Sequence, residues 1–355
     1  MRGTYILRLM PVGRLSFKPP QPFTAGIHGP GSIGSTLSYP MPSTIAGLIA
    51  GTAYRSGCRP ARDPTAGEPF ADTLECIRSL LGEEAIIYTG LLAIDDSGER
   101  KLYVYVNHAE MPLLNPDQPE RCLREYLYPE KATETCEDNR EACESVRAIR
   151  HRVIGIGLNR SSKSVSEGLF YSLEYFVYNP RASILAVIAG ASTNSGLEGP
   201  VKLGTKTGIA VASTKETPYQ ETKLPPGNYR ALLISPALLR EAPTGPLILS
   251  SAETARWIAE KLLKEAGLQA SSGAMAVRVP RGEHELGVIS PGWSLATNRP
   301  RPPLLLVPPG TLMGELSLEN ARAVRLGEKA YLVGLGCCSQ LGWGTALLVP
   351  EGGSR

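Results

Sequence analysis

The stretch that decides the fold prediction is residues 40–57, PMPSTIAGLIAGTAYRSG. Its apolar residues recur at helical spacing, Ser43 or Thr44 can cap its start, and Gly57 is placed to end it. Before it, residues 4–10 (TYILRLM) read as a short strand, followed by a Gly/Pro/Ser-rich connection over 11–39. A strand that leads into an amphipathic helix predicts the opening of an α+β unit.

Beyond this segment, the sequence predicts many strands and few helices. A polar stretch over 108–150, with a helix predicted at 139–149, interrupts the first half as an insertion. The other predicted elements are a helix at 72–81, strands at 85–94 and 101–107, a hairpin of 151–158 with 168–178, a strand at 182–190, a helix at 250–266 capped by Ser250, and strands at 274–279, 304–307, 311–316, 329–334 and 345–349.

Strand–helix–strand order in each half predicts an α+β fold of two ferredoxin-like (RRM-like) domains with long Gly/Pro-rich loops and insertions. The first domain is predicted at 1–190, with the insertion at 108–150 and the β-hairpin at 151–178. The second is predicted at 191–355, with a glycine-rich loop at 334–344. A length of 355 residues suits two domains of ordinary size.

Composition excludes several protein classes. The hydrophobic content of 42% excludes a disordered chain, and no run of apolar residues is long enough to span a bilayer. The start, MRGTYILRLMPVGR, has too short an apolar stretch for a signal peptide, so a cytoplasmic protein without a membrane partner is expected. Seven cysteines, an odd number without a Cys-x-x-Cys pair, predict that most are reduced thiols, with a bridge such as Cys136–Cys143 as an alternative.

The charge pattern predicts that the protein binds a polyanion. Residues 1–62 hold seven Lys and Arg side chains and no Asp or Glu, although the net charge of the whole chain is only +3. Three further stretches, 145–166, 199–215 and 286–314, are also free of acidic residues. If the fold brings these stretches to one face, they can bind the phosphates of an unpaired RNA strand. The alternative is that acids from elsewhere in the chain neutralise them.

Motifs for other chemistry fail on context. The sequence GPGSIG at 29–34 matches G-x-G-x-x-G, but no strand leads into it and no acidic residue follows at the ribose-binding distance. Residues 199–207 (GPVKLGTKT) miss the adjacent Gly-Lys of a P-loop, and the four histidines lack metal-ligand spacing. We therefore expect no metal, no cofactor and no small-molecule substrate. One catalytic alternative stays open, in which His28 acts as general acid or base with Tyr39 or Lys18.

The glycine-rich stretch 334–344, GLGCCSQLGWG, allows two interpretations. Its backbone N–H groups can cradle a phosphate beside Gln340 and Trp343, or it can form a strand–turn–strand without a ligand.

Four segments, in the same order along the chain, resemble the RAMP (repeat-associated mysterious protein) superfamily of CRISPR effectors. Within it they are similar to the third subunit of the type III-B Cmr complex. Residues 15–18 (LSFK) with Pro22-Phe23 resemble its N-terminal Phe-Arg-x-x-x-Pro-Phe signature, and 40–51 (PMPSTIAGLIAG) resembles its first helix start. Residues 152–171 (RVIGIGLNRSSKSVSEGLFY) resemble its hairpin, and 291–293 (PGW) with 299–310 (RPRPPLLLVPPG) resemble its Gly-Trp and Pro-Pro-Gly block.

This resemblance implies a non-catalytic, crRNA-binding subunit of a type III effector that acts in antiviral defence. It would grip the 5′ repeat-derived tag and link the large polymerase-like subunit to the backbone RAMP subunits. The side chains expected to contact RNA are Lys18, Phe23, His28, Ser43, Arg160, Lys163, Lys206, Arg299, Arg301, Gln340 and Trp343.

Two alternatives remain open beside this hypothesis. One is a metal-independent RAMP endoribonuclease that processes crRNA through His28. The other is a purely structural subunit whose basic loops meet acidic protein partners.

Overall fold

The structure, a computed structural model, describes residues 2–18, 33–34, 36–96, 99–104, 148–158, 161–162, 164–192, 196–205, 208–241, 251–269, 275–279, 286–294, 296–327 and 329–350. Over these ranges the chain is a mixed α/β fold, rich in strands and with three helices. The helices are α1 (Pro42–Arg55), α2 (Ala71–Leu81) and α3 (Ala252–Glu265). The strands are β1 (Gly3–Val12), β2 (Arg14–Leu15), β3 (Ile33–Gly34), β4 (Ile86–Asp96), β5 (Glu99–Val104), β6 (Ile149–Leu158), β7 (Val165–Val177), β8 (Ala182–Ala191), β9 (Gly199–Lys202), β10 (Ile209–Glu216), β11 (Gln220–Lys223), β12 (Gly227–Leu233), β13 (Ala237–Leu239), β14 (Met275–Arg278), β15 (Gly287–Ile289), β16 (Leu304–Val307), β17 (Leu312–Leu318), β18 (Arg322–Leu326), β19 (Ala330–Gly334) and β20 (Thr345–Pro350).

The first large sheet is built around β1 and has the order β5-β4-β8-β1-β10-β9. Every residue of β8 (ASILAVIAGA) is buried, as an apolar run in the middle of a covered sheet should be. Helices α1 and α2 pack on one face of this sheet, where Ile45 and Ile77 join Leu7 and Leu9 in one core cluster. Strands β9 and β10 belong to this sheet, so residues 199–216 pack with the segment predicted as 1–190.

The second large sheet has the order β11-β18-β19-β20-β12-β17-β14. Alternate residues of its strands face opposite ways: Leu233 and Leu348 pack with α3, whereas Leu232 and Leu347 pack against Tyr88 of the first sheet. The two large sheets therefore lie face to face and share a core, and helices cover their outer faces.

Two smaller sheets complete the described fold. Strands β13, β16 and β15 form one of them, in that order. The other contains β7, which pairs with β6, β2 and β3.

Three of the four predicted helices are present as α1, α2 and α3, but the caps expected for α1 and α3 differ from prediction. Met41 precedes α1 and Pro42 opens it, and no side chain caps it, so the capping role predicted for Ser43 or Thr44 is wrong. In α3 the cap is Ser251 rather than Ser250, because the Ser251 hydroxyl accepts a hydrogen bond from the Thr254 N–H at 3.1 Å. The helix predicted at 139–149 lies almost wholly outside the described residues, and its last residue, Ile149, begins β6.

A disulfide joins Cys58, just after α1, to Cys76 in α2, with 5.7 Å between the two Cα atoms. The expectation of reduced thiols is therefore wrong for this pair, since two helices packed side by side bring distant cysteines within bonding reach. Cys337 and Cys338 are free, and the alternative bridge, Cys136–Cys143, falls outside the described residues.

We expect reduction of the Cys58–Cys76 bond to lower the free energy of unfolding by about 3 kcal/mol, because the bond closes a loop with a sequence separation of 18 residues. Denaturant unfolding with and without a reductant measures this. The Cys58→Ser/Cys76→Ser variant is the control and should match the reduced parent chain and not respond to reductant. An unfolding midpoint of the parent chain that reductant leaves unchanged would contradict the prediction.

In the described ranges, no helix combines the length and the apolar character needed to cross a bilayer.

Candidate nucleic-acid interface

Strand β7 is the platform on which distant basic segments meet. Along one edge it pairs with β6, from Ile149 opposite Val177 to Leu158 opposite Val165. At its C-terminal end its other edge binds β2, with Arg14 opposite Val177. The N-terminal acid-free segment and the second acid-free segment therefore flank β7 on its two edges.

Residues 149–154 of β6 are all exposed, so this half of the hairpin projects into solvent. On one face, the Arg150 guanidinium lies 5.5 Å from the centre of the Phe176 ring. Next to it, Arg152 Nη2 is 3.0 Å from Oε1 of the buried Glu174, which neutralises part of the charge of Arg152. The opposite face carries Ile149 and Val153, which are 61% and 37% exposed. Ile154, which is 62% exposed, shares the face of Arg150, whereas Arg14, opposite Val177, shares the face of Ile149 and Val153. Basic and apolar groups therefore occur on both faces of this small sheet.

The third acid-free segment reaches the same region through a tight loop. The Thr205 N–H donates to the Ser16 carbonyl at 2.8 Å, and the Leu203 N–H donates to the Gly208 carbonyl at 3.0 Å, which closes the loop. Gly204 has a φ of +80°, and a Cβ there would lie 2.5 Å from the Ser16 oxygen. Only glycine permits this approach. Residues 203–205 therefore lie directly beside Ser16 and Phe17.

The predicted RNA-contacting residues that the structure describes lie on different elements. Lys18 is exposed at the end of the described N-terminal segment, two residues after Ser16, whose carbonyl accepts a hydrogen bond from the Thr205 N–H. Ser43 is half-buried in the first turn of α1, whereas Arg299 is exposed on a separate turn after β15. Five predicted residues lie outside the described residues: Phe23, His28, Arg160, Lys163 and Lys206.

Arg301 is not available to RNA, contrary to prediction, because it is 5% exposed and pairs with the buried Asp72 of α2. Its Nη1 is 2.6 Å from Asp72 Oδ1 and its Nη2 is 3.0 Å from Oδ2. The Pro69 carbonyl and the Thr73 hydroxyl accept further hydrogen bonds from the guanidinium. Burial alone would raise the pKa of Asp72, but the hydrogen bonds and charge of Arg301 outweigh it, so the pKa is lowered.

The glycine-rich stretch is a strand–turn–strand packed inside the protein, which favours the interpretation without a ligand. Trp343 is fully buried beside Phe70, with 6.0 Å between ring centres, so the RNA contact predicted for it is wrong. Gln340 is half-buried, and its side-chain oxygen accepts a hydrogen bond from Arg78 at 3.1 Å. The Ile87 N–H donates to the Gln340 carbonyl, so the turn ties the two large sheets together.

The position of Tyr39 excludes it from the catalytic alternative. Tyr39 is 9% exposed, and its hydroxyl lies 3.3 Å from the carbonyl oxygens of Leu91 and Leu185 while it accepts from the Gly90 N–H at 3.1 Å. Burial raises the pKa of Tyr39 above its ordinary value. A phenol held inside the core cannot reach a scissile phosphate, so the predicted catalytic role of Tyr39 is wrong.

Sequence reasoning missed two basic contributors to this region, Arg14 and Arg150, as specific candidates. Both are exposed, and both lie in acid-free stretches, which was the available signal. Choosing among the arginines of such a stretch requires the strand register, because alternate residues face opposite ways.

A second concave region differs in its charge. A cavity of about 570 Å³ lies between α2, the end of α3 and the glycine-rich turn. Its wall includes three arginines and four glutamates: Arg62, Arg78, Arg240, Glu68, Glu75, Glu83 and Glu265. Because acidic side chains offset the basic ones, the cavity wall does not favour binding of a polyanion.

Among the residues that the structure describes, no three His, Cys, Asp or Glu side chains cluster in a way that can hold a metal ion.

Comparisons with known proteins give the family. Two solved structures of a type III-B Cmr-beta complex contain a similar chain: one complex is bound to cognate target RNA, the other to cognate target RNA and AMPPnP. The TM-scores are 0.53 and 0.52, with 20% sequence identity over 87% of this chain and 86% of the other chain in both, which indicates a shared fold. Among curated proteins, none matches the chain significantly. The family model described as "CRISPR-associated protein (Cas_Cmr3)" matches residues 77–350, and the chain therefore belongs to the Cas_Cmr3 family of CRISPR-associated proteins.

Proposed function

We propose that this chain is a non-catalytic subunit of a type III-B CRISPR effector complex that binds the single-stranded 5′ tag of a crRNA. In the complex it would link the large polymerase-like subunit to the backbone RAMP subunits. The observation that carries the proposal is the meeting of three acid-free segments around β7: β2 with Arg14 and β6 with Arg150 pair with its two edges, and Thr205 of the third segment binds Ser16, directly after β2 and two residues before Lys18. The family match agrees with a role in such a complex.

The chemistry of this surface suits an unpaired strand. Lysine and arginine side chains bind phosphates, and the closed loop beside Ser16 offers backbone at close range. Exposed Ile149 and Val153 on the hairpin can pack against base faces, which a single strand exposes and a duplex hides.

We also propose that each half is a ferredoxin-like unit, and the strand orders support this. In that fold the fourth, first, third and second strands lie side by side. The first sheet contains β10-β1-β8-β4 and the second contains β20-β12-β17-β14, both of which follow this order. Helices α1 and α2 occupy the first crossover of the first half, and α3 occupies the first crossover of the second.

The test is a triple substitution, Arg14→Ala, Lys18→Ala and Arg150→Ala, in the full chain. Binding of a single-stranded oligonucleotide with the tag sequence should weaken. The slope of log K against log salt should flatten by about 0.7 for each lost phosphate contact, or about two in total. Fluorescence anisotropy over a salt series measures both quantities.

The matched control replaces three exposed basic residues on the helices, Arg55, Arg256 and Lys264, with alanine. It removes the same net charge and should leave the slope almost unchanged. Equal slopes for the two triple variants would mean that the β7 region is not the interface.

The endoribonuclease alternative is tested on the same protein. Repeat RNA incubated with the chain in a chelator should be bound and remain intact. Metal-independent cleavage that disappears in His28→Ala would establish the enzyme and overturn the non-catalytic proposal.

A further inference from the structure

The turn after β15 holds one large aromatic side chain out in solvent. Trp293 is 56% exposed, although its neighbours Pro291 and Ser294 are buried. Exposed single hydrophobic residues are common and need no explanation. This one differs because several separate contacts fix its position.

The indole itself is held by a side-chain contact. Its Nε1–H donates to Asn298 Oδ1 at 2.8 Å, and Asn298 adopts the left-handed region with a φ of +52°. The N–H is therefore already satisfied within the turn. What Trp293 offers a partner is the face of its ring.

The turn is braced on the backbone as well. The Ser294 N–H donates to the Arg299 carbonyl at 2.9 Å, and the Arg301 N–H donates to the Gly292 carbonyl at 2.9 Å. Beneath it, Ser294 Oγ donates to Asp72 Oδ2 at 3.0 Å, on the same carboxylate that pairs with Arg301. A buried ion pair thus anchors the turn to α2, and a ring fixed in advance loses little conformational entropy when it binds.

The local charge favours a polyanion. The sequence from 286 to 314 contains two basic residues and no acid. Asp72 balances Arg301. Arg299 is exposed six residues after Trp293, and its guanidinium makes no hydrogen bond or ion pair with another described residue. The bridge of this turn pairs Trp293 with Pro300, the residue after Arg299. An exposed ring face and an exposed guanidinium within one short turn are a combination that can bind a stacked base and a phosphate of the same strand.

We infer that the Trp293 turn is a second single-stranded RNA contact, in which a nucleobase stacks on the indole and Arg299 binds the adjacent phosphate. This inference extends the proposed RNA-binding function to a site that is distinct from the β7 region. A protein partner that receives Trp293 in an apolar pocket is the competing occupant, and it would normally also use the indole N–H, which here is engaged.

Short oligoadenylate is the probe, because stacking is sequence-tolerant and adenine has a large ring face. We expect Trp293→Ala to weaken its binding about five- to 150-fold and Trp293→Phe to retain most of it. An oligomer with the same backbone and no bases should bind the parent chain and Trp293→Ala equally. Arg299→Ala should flatten the salt slope by about 0.7.

Intrinsic fluorescence supplies an independent measurement, because the sequence has three tryptophans and Trp343 is fully buried. Quenching by oligoadenylate should persist in Trp257→Phe and disappear in Trp293→Phe. Thermal unfolding of each variant confirms that the fold is intact.

Unchanged oligoadenylate affinity in folded Trp293→Ala would overturn the inference. If the same variant instead lost a subunit from the assembled complex, the indole would be a protein anchor and the inference would be wrong. The β7 triple variant separates this inference from the proposed function. If the triple variant loses RNA binding and Trp293→Ala does not, the proposed function stands and only this inference is wrong.

Discussion

Replacement of Asp72 by Asn should lower the free energy of unfolding by about 3 to 5 kcal/mol, because it leaves a buried guanidinium without its counter-charge. The side chains of Arg301 and Asp72 are 4% and 0% exposed, so water cannot take over the solvation of the charge. The amide of asparagine replaces one acceptor oxygen with a donor that faces Arg301. Equilibrium denaturation in urea measures the loss.

Matched controls separate the effect of burying the two charges on stability from the effect of pairing them. Glu68→Gln breaks an exposed ion pair with Arg62, in which both side chains are more than half exposed, and should cost less than about 1 kcal/mol. In the double variant Asp72→Leu/Arg301→Met both charges are gone, and most of the lost stability should return. A double variant that is as unstable as Asp72→Asn would show that the hydrogen bonds to Pro69 and Thr73, rather than the charge, stabilise this site.

The same pair predicts a pH dependence with a definite sign. The pKa of Asp72 is lower in the folded protein than in the unfolded chain, so the carboxylate adds stability above its unfolded pKa of about 3.9. That stability is lost as the pH falls through the folded pKa. The difference in stability between the parent chain and Asp72→Asn should therefore shrink below about pH 4 and remain constant at neutral pH.

Much of the fold could be predicted from the sequence, because long elements carry strong periodicity. The strand at 304–307 and the helix at 72–81 agree with β16 and α2 to within a residue. Between 197 and 240 the sequence analysis predicted no strand, although the structure has five there, β9 to β13. Strands β9 and β11 have four residues each, none of them buried, so neither alternation nor an apolar run marks them. Strand β10 has eight residues with alternating burial, and the sequence analysis missed it.

The candidate site was predictable in its location along the chain but not in its individual residues. The absence of acids over 1–62 and 145–166 identified two segments that do meet at β7. The same criterion selected 286–314, where Arg301 instead pairs with Asp72, 229 residues away in sequence. Charge counts cannot anticipate such a partner, because it arises only from tertiary packing. The glycines of 334–344 were ambiguous for a related reason, since close approach to protein backbone and to phosphate require the same residue.

Gly344→Ala should destabilise the chain by about 3 kcal/mol or more. Gly344 has a φ of +64°, which costs an L-residue about 1 to 2 kcal/mol, and a Cβ there would lie 1.8 Å from the Leu335 carbonyl oxygen. That oxygen cannot move freely, because the Leu335 N–H donates to the Gly344 carbonyl at 2.9 Å and the Gly344 N–H donates to the Pro236 carbonyl at 2.8 Å. The backbone must shift, and overpacking of this kind typically adds about 1 to 3 kcal/mol. Thermal and urea unfolding measure the total.

Gly267→Ala is the matched control, because Gly267 has a similar φ of +75° with no atom within 4 Å of its added Cβ. It should cost only the backbone strain, about 1 to 2 kcal/mol. The difference in the free energy of unfolding between the two variants then gives the cost of the steric clash at the turn that joins the two large sheets. Equal losses would mean that the glycine-rich turn yields easily, and the close approach at Leu335 could not then be the reason for glycine at position 344. If inorganic phosphate stabilised the parent chain but not Gly344→Ala, phosphate binding would instead explain the glycine at position 344.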